Sequence, residues 1–452
     1  MKVIPFVHEG LGNSSYLVGL EGGDALIVDP DRTVDRYLAD AEARGWRITS
    51  VLETHLHADF VSGAHEFAAR LGATLLLPEG AGSRLPHRPV APATRVALGG
   101  AEVEAIGSPG HTPEHLSYVL RAGAGPPMLF SGGSLIVGGA ARTDLIAPAM
   151  TEQLSRAQFR TLKTAFAALP DETVLYPTHG GGSFCSAGGG GQRTSTLGAE
   201  RVHNPLLAFD DETEFARWFP TTFPSTPAYY FRMRAINQAG ARLRSDLLPP
   251  PLLAPSDFAA ASHDATVIDL RPPAAYMAAH VPGSLSIALR DVYAVWLGWL
   301  VPADATLLFV AGDEPIGRAL DESLLVGYER FAGVLDGGVR AWEAAGLPIA
   351  RTRLADARSV RKALSDGAIA LDVREPDEYR VGHLAEAVHI PLGDLVMRSR
   401  EVMRDRPVVA YCGHGERSAT AVSLLERAGV ESVSSLDGGI EAWAAAGYRV
   451  AV

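Results

Sequence analysis

Cysteine is almost absent from this 452-residue chain, which has only Cys185 and Cys412. That scarcity excludes a disulfide framework and makes a reducing, cytoplasmic setting the expectation. Blocks of lysine or arginine are missing as well, and the net charge is −12. Nucleic acid and anionic membrane surfaces are therefore excluded as expected partners. Long hydrophobic runs are lacking too. The most apolar stretch, Val292 to Val301, is too short to cross a bilayer and is soon followed by Asp304. The opening MKVIPFVHEG contains no apolar signal-peptide core. What is present is a soluble, globular composition, 47% hydrophobic and 20% charged. At this length, roughly two to four domains are expected.

A proline run, LLPPPLLAP over 247–255, reads as a stiff, extended linker. Behind it lies an internal repeat. VIDLRPPAAYMAAHVPGSLSIAL (267–289) matches ALDVREPDEYRVGHLAEAVHIPL (370–392), and GVLDGGVRAWEAAGLP (333–348) matches SSLDGGIEAWAAAGYR (434–449). In the second copy, apolar runs such as AIALDV and PVVAYC alternate with helical patterns such as SATAVSLLERAG. That alternation predicts parallel sheets with helices on both faces. The expected domains are residues 1–246, 256–350 and 356–452.

The first of these opens with short strand-like runs and continues with loops rich in His, Gly and Asp. ETHLHADFVSG (53–63) offers His55, His57 and Asp59 in an H-x-H-x-D pattern, and then Phe60 where another histidine would extend it. His111 follows a Pro-Gly turn in SPGHTPEH, and His179 ends an apolar strand in YPTHGGG. Four histidines and an aspartate on loop edges predict a metal site. Cys185 sits in GGGSFCSAGGGGQRTS, a glycine density that predicts an open or closely wrapped loop and argues against a core thiol.

In the second repeat a strand delivers Cys412 to the loop CGHGERS, and a helix is expected from about Ser418. Backbone N–H groups of such a loop, the helix N-terminus and Arg417 all favour thiolate over thiol. The first repeat aligns without a gap but carries Ala311 at that position, with Asp313 and Glu314 beside it. It therefore lacks a thiol nucleophile there, and packing, spacing or dimer contacts are its expected roles.

THLHADF, SPGHTPEH, LFSGGSLIVGGAARTDL and YPTHGGGSFC occur in the order of the metallo-β-lactamase fold. Residues 1–246 resemble in particular its persulfide dioxygenase branch, in members fused to rhodanese domains. CGHGERS, DVREPDEY and DGGIEAW resemble a rhodanese sulfurtransferase. These resemblances imply an αββα sandwich followed by two rhodanese-like α/β domains, the first a pseudo-domain. They also imply oxidation of a low-molecular-weight thiol persulfide at one Fe(II) or Zn(II) per chain. Cys412, with His414 and Arg417, would interconvert persulfide, sulfite and thiosulfate. The implied substrate-side residues are Cys185 and Arg142, the latter beside Asp144.

Family members reading FTGD place a ligand aspartate where this chain has Gly133. The expected ligands are therefore His55, His57 and His111, with Asp59 and His179 as further candidates, and the expected affinity is modest. Restoring a carboxylate at Gly133 is expected to raise occupancy. The alternatives are a glyoxalase II-like thioester hydrolase with a passenger rhodanese, or a metal-poor module serving the rhodanese. A homodimer is compatible with all three.

Overall fold

The computed structural model describes residues 1–188, 191–402 and 405–451. The chain forms two compact units, one of Met1–Leu247 with Asp321–Gly327, the other of Leu248–Leu320 with Tyr328–Val452.

The first unit is built on two six-stranded sheets. One runs in chain order through Lys2–His8, Asn13–Gly19, Asp24–Val28, Arg47–Leu52, Thr74–Pro78 and Arg88–Val90. The other has the order Ser195–Thr196, Val174–Pro177, Met128–Gly132, Leu116–Arg121, Ala101–Gly107, Arg95–Leu98. Alternation along the strands explains the layering, because successive side chains point to opposite faces. Tyr16, Val18, Leu26 and Val28 share a core with Tyr118, Leu120 and Phe130 of the other sheet. Their neighbours Leu17, Ala25 and Ile27 face the other way, onto Tyr37, Ala41 and Phe67 of the covering helices. On the second sheet Val119, Leu129 and Leu175 turn outward onto Leu162, Phe166 and Phe215. The result is the expected αββα sandwich.

In the second unit each repeat forms a five-stranded parallel sheet of identical topology. The strand Val408–Tyr411 lies at the middle of the second repeat's sheet and leads into helix Glu416–Arg427, which begins two residues before the expected start. The proline run is more than a linker, since Leu252–Leu253 pairs as the edge strand of the first repeat. An edge is where proline neighbours are tolerated, as one side needs no ladder hydrogen bonds. Val292–Val301 contains helix Tyr293–Leu300, every residue of which is buried. Among the described residues no helix is long and apolar enough to cross a membrane.

Candidate functional site

The histidines converge where loops leave the strands Arg47–Leu52, Ala101–Gly107 and Val174–Pro177. His55, His57, His111 and His179 are each at most 1% exposed. Nitrogens of His55, His111 and His179 lie within 4.8 Å of one another, as do ligand atoms of His57, Asp59 and His179, and of Asp29, His55 and His57. The structure thus brings all five predicted ligands together. Its closest all-histidine trio contains His179, whereas His57 groups with Asp29 and Asp59.

Each ring is anchored through one nitrogen. His55 Nδ1 lies 2.8 Å from Thr54 Oγ1, and His111 Nδ1 lies 2.7 Å from the Arg142 carbonyl. His179 Nδ1 is 3.0 Å from Asn13 Oδ1, and His57 Nε2 is 2.9 Å from Glu53 and 3.4 Å from Asp29. The opposite nitrogens are left facing inward. His57 Nδ1, His111 Nε2 and Asp59 Oδ1 are buried without a hydrogen-bond partner, and His55 Nε2 and His179 Nε2 approach to 3.3 Å. Buried polar atoms normally find partners. Outer nitrogens fixed by acceptors with inner lone pairs converging are what a metal-ligating histidine set requires. The residues therefore fit a divalent metal.

Electrostatics sort the rings. Burial and the neighbouring histidines drive His55 well below its usual pKa. Burial, with His179 nearby, lowers His111 to about 3. Burial would neutralise His57 too, but Asp29 and Glu53 outweigh it and raise its pKa to about 10. Burial disfavours the charge on Asp59, but His179, His57 and the Asn13 amide at 2.6 Å prevail and lower its pKa.

Two expectations are corrected here. Cys185 is fully buried despite its glycine-rich surroundings, and burial and then Asp59 push its thiol well above the usual range. The segment is pinned rather than open: the Cys185 carbonyl accepts from Arg142 N at 2.8 Å, and Ser186–Gly188 pairs with Gly139–Ala141. Gly189 and Gly190 of that loop lie outside the described residues. Gly133, secondly, has no room for a restored ligand, because a Cβ there would stand 2.8 Å from both Ala141 Cβ and His111 Cδ2. A carboxylate at 133 would displace the very ring it was meant to assist.

Arg142 is 2% exposed, and its guanidinium grips both oxygens of Asp144 at 2.7 and 2.8 Å, the Phe184 and Pro224 carbonyls, and Thr226. These bonds use all its donors, so it fastens the pocket wall and offers nothing to a substrate. Sequence reasoning passed over Asp29, Glu53, Asn13 and His115. His115, stacked 4.9 Å from His55, accepts from Gly133 N at 3.0 Å. The one available signal was its place four residues after His111 on the same loop.

In the second repeat Cys412 is 1% exposed, and Gly415 N–H points at its Sγ from 3.1 Å. Ser418 Oγ lies 3.7 Å away at the start of the helix. The DGG motif explains itself: Gly439 has φ +62°, and a Cβ there would overlap the Cys412 and Gly413 carbonyls. Those carbonyls instead accept from Ile440 N at 2.8 Å and Glu441 N at 3.3 Å. Arg417 makes a two-pronged pair with Glu378 at 2.6 Å, which the sequence did not disclose. His414 is exposed and paired with Glu441 at 3.1 Å. In the first repeat Glu314 Oε2 accepts from Gly312 N at 2.6 Å, so a carboxylate occupies the loop where the other repeat presents its sulfur.

Residues 8–179 match the metallo-beta-lactamase superfamily, and residues 254–345 and 356–446 each match the rhodanese-like domain. The chain is a metallo-β-lactamase-fold domain followed by tandem rhodanese-like domains. A hydroxyacylglutathione hydrolase from Polaromonas is 35% identical over 171 residues, 37% of this chain and 62% of the relative. The chain thus spans less than two-thirds of that relative's length. An uncharacterized protein, YqhL, of Bacillus subtilis is 40% identical over 73 residues, 16% of this chain and 58% of its own. The crystal structure of a metallo-beta-lactamase from Staphylococcus aureus is 29% identical with a TM-score of 0.67, covering 74% of this chain and 98% of that one.

Proposed function

We propose that this protein is a sulfur-metabolising fusion enzyme whose metal domain oxidises a low-molecular-weight thiol persulfide and whose second rhodanese-like repeat transfers sulfane sulfur through Cys412. The observation that carries the reading is the presence in one chain of a histidine-lined pocket and a cysteine loop aimed at an anionic sulfur. His55 and His111 would hold the metal together with His179 or His57, and Asp59 stands beside them. A divalent metal there supplies a Lewis acid and, when redox-active, a means of activating oxygen. The chain's own residues orient the set through Thr54, Glu53, Asp29, Arg142 and Asn13, and the buried surroundings exclude water.

At Cys412 the chemistry is a displacement. The thiolate attacks the outer sulfur of thiosulfate, the S–S bond breaks, and sulfite leaves with the electron pair. An acceptor thiolate or sulfite then attacks the outer sulfur of the Cys412 persulfide and returns the thiolate. Backbone N–H groups of the loop offset the negative charge throughout. Cys412→Ser is expected to abolish thiosulfate sulfurtransferase activity; activity retained in full would overturn the rhodanese half of the reading.

Thioester hydrolysis is the second reading, favoured by the name of the curated hydrolase relative. Phe60 and Gly133, which remove ligands for a second metal, weigh against it. Release of free thiol from a hydroxyacylglutathione without oxygen uptake would select it.

A further inference from the structure

The helix that starts at the Cys412 loop is buried on more sides than its own sheet can cover. Ser418 to Leu425 are all buried, whereas the surface helix Ala357–Ser365 of the same repeat buries only Ala357 and Val360. An outer helix of a sheet buries one stripe. The other side of Glu416–Arg427 is held by the first repeat. Ser286 N donates to Ser423 Oγ at 3.1 Å, and His280 Nε2 lies 3.3 Å from Glu426. Near the same end Arg427 donates to the Gly283 carbonyl at 3.2 Å.

At the other end of the helix, on the loop, Arg290 Nη1 lies 3.2 Å from Glu416 Oε2. Both side chains remain about two-fifths exposed, 36% and 45%. The mouth of the loop carries three carboxylates: Glu378 answered by Arg417, Glu441 answered by His414, and Glu416 answered from the first repeat by Arg290.

We propose that Arg290 is a specificity-determining residue of the Cys412 site: the first repeat, though it lacks the cysteine, grips the helix and holds a cation at the loop mouth, offsetting Glu416 and admitting anionic sulfur donors. The inference rests on the reading of Cys412 as the sulfur-accepting nucleophile. Thiosulfate, a dianion, is the donor most sensitive to an unopposed carboxylate there. Removing or reversing Arg290 raises KM for thiosulfate and leaves turnover at saturation alone, because the reacting sulfur atoms are untouched.

The test uses the full chain with thiosulfate as donor and cyanide as acceptor, at low ionic strength, where exposed charges act most strongly. Arg290→Glu is expected to raise KM by about fivefold, the upper range for one exposed pair, with kcat unchanged. Combining Arg290→Glu with Glu416→Arg, which restores the pair in reverse, is expected to return KM to within about twofold of wild type. An unchanged KM in Arg290→Glu, or a double variant no better than the single one, overturns the inference. Cys412→Ser run alongside separates the two claims. Loss of transfer in that variant with normal KM in Arg290→Glu sinks only the role of Arg290. Transfer surviving Cys412→Ser sinks the nucleophile assignment itself.

Discussion

His57 shows how much a single side chain decides. Its Nε2 faces Glu53 and Asp29, and its Nδ1 points inward without a partner. Without metal the ring is an imidazolium at neutral pH, with a pKa of about 10. His55 and His111 are already neutral there, since both are shifted downward. A metal that takes His57 as ligand must displace its Nδ1 proton, so loading at pH 7 is expected to release about one proton per metal from this ring. The sign follows directly: apparent affinity rises with pH across the range below about 10 and falls as acid competes for the ring. A pH-stat or a pair of calorimetric titrations in buffers of different ionisation enthalpy reads the release, and His57→Gln should remove it. Equal proton release in wild type and His57→Gln would assign the metal to His55, His111 and His179 instead. The H-x-H-x-D loop itself was legible in the sequence, because its ligands are neighbours. The groups that aim those ligands were not, because Asp29, Asn13 and Arg142 arrive from remote strands and loops. Cys185 misled for a related reason: glycine density reports a permissive backbone, while burial depends on what the rest of the fold lays over it.

At the scale of elements, the two repeats show one loop with different side chains folded into it. Gly438 and Gly439, like Gly337 and Gly338, have positive φ. Gly338 approaches the Ala311 carbonyl much as Gly439 approaches that of Cys412. The repeat and its missing nucleophile were plain from the alignment, and so was the parallel sheet. The Glu314 carboxylate folding onto Gly312 N was not, since it depends on a side-chain rotamer inside the loop. It sharpens what Ala311→Cys should do. Alone, that variant is expected to form no cyanide-labile persulfide, because the carboxylate competes for the N–H and repels an anionic sulfur donor. Adding Glu314→Gly, the residue found at the matching position of the Cys412 loop, should give measurable but slow labelling. Persulfide on Ala311→Cys alone at the Cys412 rate would refute this account.

The apolar run at Val292–Val301 resolves at the same scale. Its helix is hydrophobic all round because it is buried all round, and its Trp299 packs flat on Gly393 of the second repeat, where any Cβ would overlap the indole. Gly393→Val is therefore expected to cost about 1–3 kcal/mol through overpacking, read as a lower denaturant midpoint. A midpoint equal to wild type would show that the indole can move aside.

At the scale of the whole molecule, one chain carries a histidine-lined pocket that fits a metal and, in a separate domain, the Cys412 loop. Phe60 stacks on His57 with ring centroids 4.2 Å apart and fills the space where a further ligand would stand. Gly133 is closed by Ala141 and His111. At most one metal per chain is therefore expected. If the two chemistries belong to separate domains, His111→Ala should lose the metal and all oxygen-dependent chemistry while keeping thiosulfate transfer at Cys412. The most direct test of the central claim is oxygen uptake by the iron-loaded full chain on glutathione persulfide, with bound metal counted in the same sample. Oxygen consumption with sulfite produced is expected, at no more than one metal per chain, with loss of both in His111→Ala. Two tightly bound metals per chain with no oxygen consumed would contradict it.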